Sequence, residues 1–382
     1  MRLRWYLREV AKLCIMLAVA LLALTCSLAT AFADAEAGIR VEGPGVAPHL
    51  GFACCDQGVE PMQTLMSNPE VIADLRDLRA EVAVPIQDFS PERAAVVRRL
   101  NQEGIRVIAW IVLSQEEGIY LNADNAPEAA ARVAEFEKWT DENGLKWEAV
   151  GLDIEPNFNE FASLKGHRWR LIMTLLERSL NGRRAARAKR DYAALIRGIQ
   201  SRGYSVQTYQ MPYLPAERSV HSTLLDRMLG TVDVRGNEEY LMLYSSNARA
   251  VGAGMIWSLG QHAQGISIGV TDGSGTPGSG SGPLDWEEFS RDLIVASHFT
   301  NYIGVYNLEG CVRQGFLPRL KAMNWSESVV IPRAAVVRGE RLGFILRAVL
   351  WIGSNLFYLV LAGVLLVVWL WRVRRQRKKT LL

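Results

Sequence analysis

The run Val150-Gly151-Leu152-Asp153-Ile154-Glu155-Pro156-Asn157 places two carboxylates two residues apart in an otherwise apolar stretch. In an extended strand successive side chains alternate between faces, so Asp153 and Glu155 share one face while Leu152 and Ile154 take the other. Two carboxylates held side by side away from water do not both ionise freely, and one of them keeps a proton at neutral pH. A carboxyl kept protonated in this way can serve as a general acid. The competing reading is a pair neutralised by Arg or Lys from a neighbouring strand, but the one obvious strand cation, Arg106, sits at the starting end of its strand. Of the five histidines, only His49 and His298 fall near strand ends, again the starting ends, and no Cys/His spacing resembles a zinc site. No metal and no cofactor are therefore expected.

What must position this pair is a set of strands. Eight short runs rich in β-branched and aromatic residues alternate with amphipathic helical stretches: Leu50–Cys55, Glu81–Phe89, Arg106–Leu113, Glu148–Glu155, Ser205–Met211, Tyr240–Ser245, Ile266–Thr271 and Tyr302–Leu308. Eight βα units in succession predict an α/β fold of the TIM (β/α)8 barrel type, whose chemistry sits at the C-terminal ends of the strands. Helix signals agree: Ser90, Pro91 and Glu92 open one helix, Asn125, Ala126, Pro127 and Glu128 another, and Asn181 with Gly182 breaks the long stretch from Phe158 to Gly203. The basic run Arg183 to Arg190 falls in that helical pattern and reads as a solvated face.

At the predicted mouth the strand ends add Asp56, Asp88, Gln115, Glu116, Gln210, Tyr244, Asp272 and Glu309, with Trp110, Tyr209 and Tyr306 close by. Carboxylates, amides and aromatic rings together suit a polyhydroxylated ligand, which offers hydroxyls to the polar groups and C–H faces to the rings. Phosphate is not suited, since no Gly-rich loop with a placed Lys occurs. The Gly-, Ser- and Pro-rich stretch Asp272–Gly282 follows the seventh strand and so borders the same mouth.

The segment Gly151-Leu152-Asp153-Ile154-Glu155 resembles the D-x-x-D-x-D-x-E strand of family 18 glycoside hydrolases, the chitinase-like TIM barrels. Tyr240-Leu241-Met242-Leu243-Tyr244 is similar to that family's M-x-Y-D strand, and Gly304 to Gly310 to its last strand. The resemblance implies that Glu155 protonates the glycosidic oxygen, that Asp153 orients the substrate, that Tyr244 contacts it and that Tyr306 floors the sugar site. The sequence departs from the pattern at Gly151 and Ser245, where the family has aspartates. A register aligned on Gly-Leu-Asp-Ile would instead put Glu155 on the middle aspartate and Asn157 on the acid. If two protein carboxylates act together, the second is Glu309 or Asp272, and a separation of about 5 Å or of about 6.5–9.5 Å would decide between retention and inversion.

The ends of the chain address its location. Arg2, Arg4, Arg8 and Lys12, an apolar run from Leu13 to Leu24 and the triplet Ala31-Phe32-Ala33 form an export-signal pattern over residues 1–33, either cleaved or kept as an anchor. Ala348–Trp371 carries no charge and is long enough to cross a bilayer; Arg372, Arg374, Arg375, Arg377, Lys378 and Lys379 follow it and mark the cytoplasmic side. The expected layout is a barrel domain over 34–325, a stalk over 326–347, a transmembrane helix over 348–371 and a basic tail over 372–382. That makes a single-pass protein of the cell membrane with its main domain outside the cytoplasm. The formal net charge of +3 resides largely in these ends and supports no nucleic-acid partner. In the exported part, Cys311 is expected to pair with Cys54 or Cys55 and staple the first strand to the last, the alternative being buried thiols. Two functions follow: a glycoside hydrolase acting on an envelope or extracellular polysaccharide, or a catalytically inactive barrel that binds glycan or a protein partner.

Overall fold

The computed structural model describes residues 38–54, 58–163, 167–273 and 282–379. The export-signal pattern, Cys55, Asp56 and most of the Asp272–Gly282 loop lie outside them. A short strand β1 (Ile39–Glu42) comes first, followed by eight parallel strands: β2 (His49–Ala53), β3 (Glu81–Ile86), β4 (Arg106–Ile111), β5 (Ala149–Asp153), β6 (Ser205–Gln210), β7 (Glu238–Met242), β8 (Gly265–Gly269) and β9 (Tyr302–Tyr306). β2 to β9 pair in sequence order and close, with β2 beside β9 in the register His49 to Tyr302 through Ala53 to Tyr306. The chain is a TIM barrel, and its eight strands are those the sequence pattern indicates, each ending one to three residues earlier than expected, with β2, β7 and β8 also starting one or two residues earlier.

Outward residues such as Val82, Val84, Val107, Ala109, Val150, Leu152, Leu241, Ile266, Ile268, Ile303 and Val305 are buried against the helical layer in one continuous core. Local signals act as their chemistry dictates. Ser90 Oγ accepts from Arg93 N at the start of helix Pro91–Gln102, and Asn181 both ends helix Arg168–Leu180 and caps helix Gly182–Ser201. Asp285 and Glu288 form a reciprocal capping box. Asn125 departs from expectation. It caps nothing with its side chain, which accepts from Asn122 N (2.8 Å) and the Tyr192 hydroxyl (3.0 Å) and donates to the carbonyls of Glu117 and Tyr120. It therefore ties down the loop after β4.

Residues 326–347 are not an irregular stalk. Ser328–Ile331 forms β10, antiparallel to β1, and Arg333 opens a helix that continues to Lys379. That helix crosses helix Ala253–Gly260 at glycines. A Cβ on Gly254 would lie 2.4 Å from the Ala335 carbonyl, and one on Gly339 would lie 2.6 Å from Ser258 Oγ, so the two backbones touch. Further along, Leu350 is buried and the Ser354 hydroxyl bonds to that of Ser222 (2.9 Å). The first two turns of the expected transmembrane segment thus pack on the barrel. Beyond them the helix is apolar, exposed and long enough to cross a membrane.

Candidate active site

The side chains that point into the barrel form layers. At the starting end, Glu81 pairs with Arg106 (2.9 Å), and Glu238 accepts from Gln207 Nε2 (3.1 Å) and from the Tyr240 hydroxyl (3.4 Å). Above them the Tyr209 hydroxyl donates to Gln207 Oε1 (2.8 Å), downward and away from the mouth. Its ring fills the place beside Gly151: a Cβ there would sit 3.1 Å from Tyr209 Cε2. Gly151 stands where the resemblance to a D-x-D-x-E run would put its first aspartate, and the space beside it is taken by a tyrosine ring.

Next toward the mouth comes Asp153, 6% exposed. Its Oδ1 has no hydrogen-bond partner, and neither has the buried Trp110 Nε1. Burial raises the Asp153 pKa to about 7, partly offset by the nearby indole N–H even though the two do not meet in normal hydrogen-bond geometry. Glu155, half-buried one step further out on the same face, is held well above the usual carboxylate range by burial and then by the charge of Asp153. No cation contributes to either shift. Both carboxyls are thus pushed toward their protonated forms, the inner one by burial and the rim one by burial and the charge of its neighbour. The strand is held in place from the loop after β4, where Leu121 N donates to Asp153 O (2.9 Å) and Glu155 N to Leu121 O (3.1 Å).

Tyr244 and Tyr306 lie side by side at the mouth, ring centroids 5.9 Å apart and inclined at 36°. Burial raises the Tyr244 pKa, with Asp153 and Glu155 adding to it, so its phenol stays protonated. Together with Asp153, Trp110, Tyr209 and Met242 these rings line an axial cavity of about 50 Å³. That volume holds a few waters and is far below the roughly 300 Å³ at which small-molecule pockets begin.

Other predicted residues are placed elsewhere. Gln210 points out of the barrel, buried, with Nε2 donating to Val234 O (3.0 Å), because the inward place on β6 belongs to its neighbour Tyr209. Asp88 accepts from Arg93 (2.7 Å) and from Ser90 N, contacts that overcome the cost of burial and lower its pKa to about 2; it organises the start of a helix. Asp272 accepts from Asn307 Nδ2 (2.6 Å), and Glu309 stands half-buried in the first turn of the helix after β9. Ser245 is buried and donates to Asp292 on the outer side of the barrel, and Asn157 caps the short helix Phe158–Ser163 by accepting from Glu160 N. The disulfide expectation is corrected for Cys311, which is a buried free thiol near Thr271; Cys54 is disulfide-bonded. Trp110 lies on the axis as expected from the sequence; Gln207 as an axial residue and the hub role of Asn125 were missed, and the i, i+2 phase of β6 was the available signal for the first.

No family model matches the sequence, and no curated protein matches it. Among solved structures the chain is similar to the PgaB (BpsB) glycoside hydrolase domain from Bordetella bronchiseptica, with 9% identity, a TM-score of 0.44, and coverage of 72% of this chain and 98% of that one. It is also similar to D-allulose 3-epimerase from Methylomonas sp. (12% identity, TM-score 0.38, 81% and 99% covered). A third is the xylanase-alpha-amylase inhibitor protein XAIP-I, solved with trehalose (10% identity, TM-score 0.38, 73% and 100% covered). These likenesses concern the (β/α)8 fold and do not establish membership of family 18.

Proposed function

We propose that this chain is a membrane-anchored barrel that hydrolyses a glycosidic bond of an envelope or extracellular polysaccharide, with Glu155 as general acid and Asp153 as its partner. The observation that carries the reading is a pair of carboxyls on one strand face at the C-terminal mouth with no cation beside them, both pushed toward the protonated form by burial. Glu155 gives its proton to the glycosidic oxygen as the bond to the anomeric carbon breaks, and water then supplies the hydroxyl at that carbon. Asp153 in its ionised form favours the charge developing on the sugar, takes up the proton that the attacking water releases and returns it to Glu155, which resets the acid. The axial cavity excludes a sugar ring, so the saccharide lies across the mouth, over Tyr244 and Tyr306 and against Glu155. Asp272 and Glu309 border the same mouth as candidate second carboxylates.

A second reading, a catalytically inactive barrel that binds glycan or a protein, draws on Gly151 and Ser245, whose places hold a tyrosine ring and a structural bond instead of carboxylates. The two separate in a screen of chitin-type, peptidoglycan-type and other α- and β-glycans with the full chain in nanodiscs. Cleavage that is lost in Glu155→Gln supports hydrolysis; binding without cleavage supports the second reading.

A further inference from the structure

Helix Arg168–Leu180 carries Trp169, Ile172, Met173, Leu176 and Leu180 on one stripe, all exposed, from 46% at Ile172 to 85% at Leu180. The spacing is that of a helix face, and Leu171, Thr174, Leu175 and Arg178 turn the other way toward the barrel. Five large apolar side chains in one exposed row are more than scattered surface residues. Something apolar must cover them.

The position of the row identifies the cover. The helix packs against Leu224–Leu229, and that short helix is also a contact of the C-terminal helix, where Gly353 lies against Leu224 and Ser354 bonds to Ser222. A hydrocarbon core of about 30 Å takes about 20 helical residues at 1.5 Å each. The cytoplasmic end of the span is fixed by the cations that begin at Arg372. Twenty residues back from Trp371 is Ile352. The contacts at Gly353 and Ser354 are therefore level with the outer edge of the hydrocarbon, and helix Arg168–Leu180 packs on the short helix that makes them.

We propose that the exposed face of helix Arg168–Leu180 is inserted in the outer leaflet of the bilayer at headgroup depth, as a second, interfacial membrane contact beside the span. A helix with this apolar stripe and exposed cations nearby, Arg170 on the helix itself and Arg183 on the next, fits the interface between acyl chains and phosphates. The consequence is orientation. Because this helix belongs to the segment that follows β5, the strand of Asp153 and Glu155, its insertion holds the barrel on its side with the rim of β5 close to the membrane. The inference rests on the C-terminal helix being the membrane span, and not on any chemistry at the mouth.

The test uses the full chain in phospholipid nanodiscs with a nitroxide at one of three positions: Met173→Cys on the stripe, Lys138→Cys on a remote barrel helix, and Leu365→Cys in the span. Collision of each label with oxygen and with a water-soluble nickel chelate reports depth. The expected result is an oxygen-to-nickel ratio at 173 several-fold above that at 138 and below that at 365, falling to the aqueous value when Leu176→Glu is added. A ratio at 173 equal to that at 138, with 365 deep in the bilayer, would overturn the interfacial contact. So would spin–spin broadening at 173 showing that a second copy covers the stripe. An aqueous ratio at 365 would instead remove the span on which the inference stands.

Discussion

Replacing Asp153 by Asn should change how stability depends on pH by a predictable amount. Unfolded, Asp153 titrates near 3.8; folded, burial moves it to about 7. Well below pH 3.8 both states are protonated and the carboxyl costs nothing in ionisation. As pH rises the unfolded chain releases its proton first, so the folded state loses ground until its own carboxyl ionises near pH 7, after which the loss is constant. At 1.36 kcal/mol per pH unit, the span from 3.8 to about 7 amounts to on the order of 4 kcal/mol. Asparagine has nearly the same shape and no ionisation, so the stability difference between variant and parent should swing in favour of the variant by that amount between pH 4 and pH 8. Whatever the amide costs in an unpartnered site is the same at every pH, and Glu155, whose carboxyl the Asp153 charge pushes up, can only add to the swing in the same direction. Urea unfolding of both proteins in the same micelles, at half-unit steps from pH 4 to 8.5, measures it. A difference that stays flat across the range would show that Asp153 is solvated or paired with a cation, and the reasoning about a protonated pair would fail with it.

Three further outcomes follow from particular contacts. Gly151→Ala would push a methyl to 3.1 Å from the Tyr209 ring and should cost about 1–3 kcal/mol in unfolding free energy, with the Tyr209-to-Gln207 hydrogen bond disturbed. Asn125→Ala removes a side chain that makes four hydrogen bonds; Asn122 N–H and the Glu117 carbonyl lose their side-chain partner, while the Tyr192 hydroxyl and the Tyr120 carbonyl keep bonds to Asn122. It should cost about 1–3 kcal/mol and speed hydrogen exchange selectively over residues 114–125. Cys311, with its pKa pushed up to about 12 by burial, should resist alkylation at pH 8 until the protein is unfolded, and non-reducing peptide mapping should recover it as a free thiol.

The barrel was legible because each of its strands is a short apolar run between helix signals, and eight such runs leave few architectures open. The carboxylate pair was legible for a similar reason, since a spacing of two fixes a shared strand face without any tertiary information. One-residue parity is where the reading slipped. Tyr209 and Gln210 are adjacent and both polar, and only the packing of Gly151 against a ring shows which of them faces the axis. The segment after Ser326 read as a stalk because β1 and β10 are four residues each, and because the docking helix buries its face through Gly254 and Gly339, residues that carry no hydrophobic signal. The fate of Cys311 was not readable at all: its neighbours at the end of β9 are set by the turn Asn307 makes with Thr271, which no spacing encodes.

Turnover of a glycan substrate by the full chain in nanodiscs, compared with Glu155→Gln across pH 4.5–8.5, tests the central claim most directly. The glutamine keeps the shape and removes the transferable proton, so the account predicts a fall in kcat of ~10²-fold or more, with an unchanged fold. The parent's rate should decline as the pH rises through the range where the raised carboxyls ionise, and the variant's residual rate should not follow that profile. Full turnover in Glu155→Gln, with the parent's pH profile intact, would contradict the assignment of Glu155 as the acid.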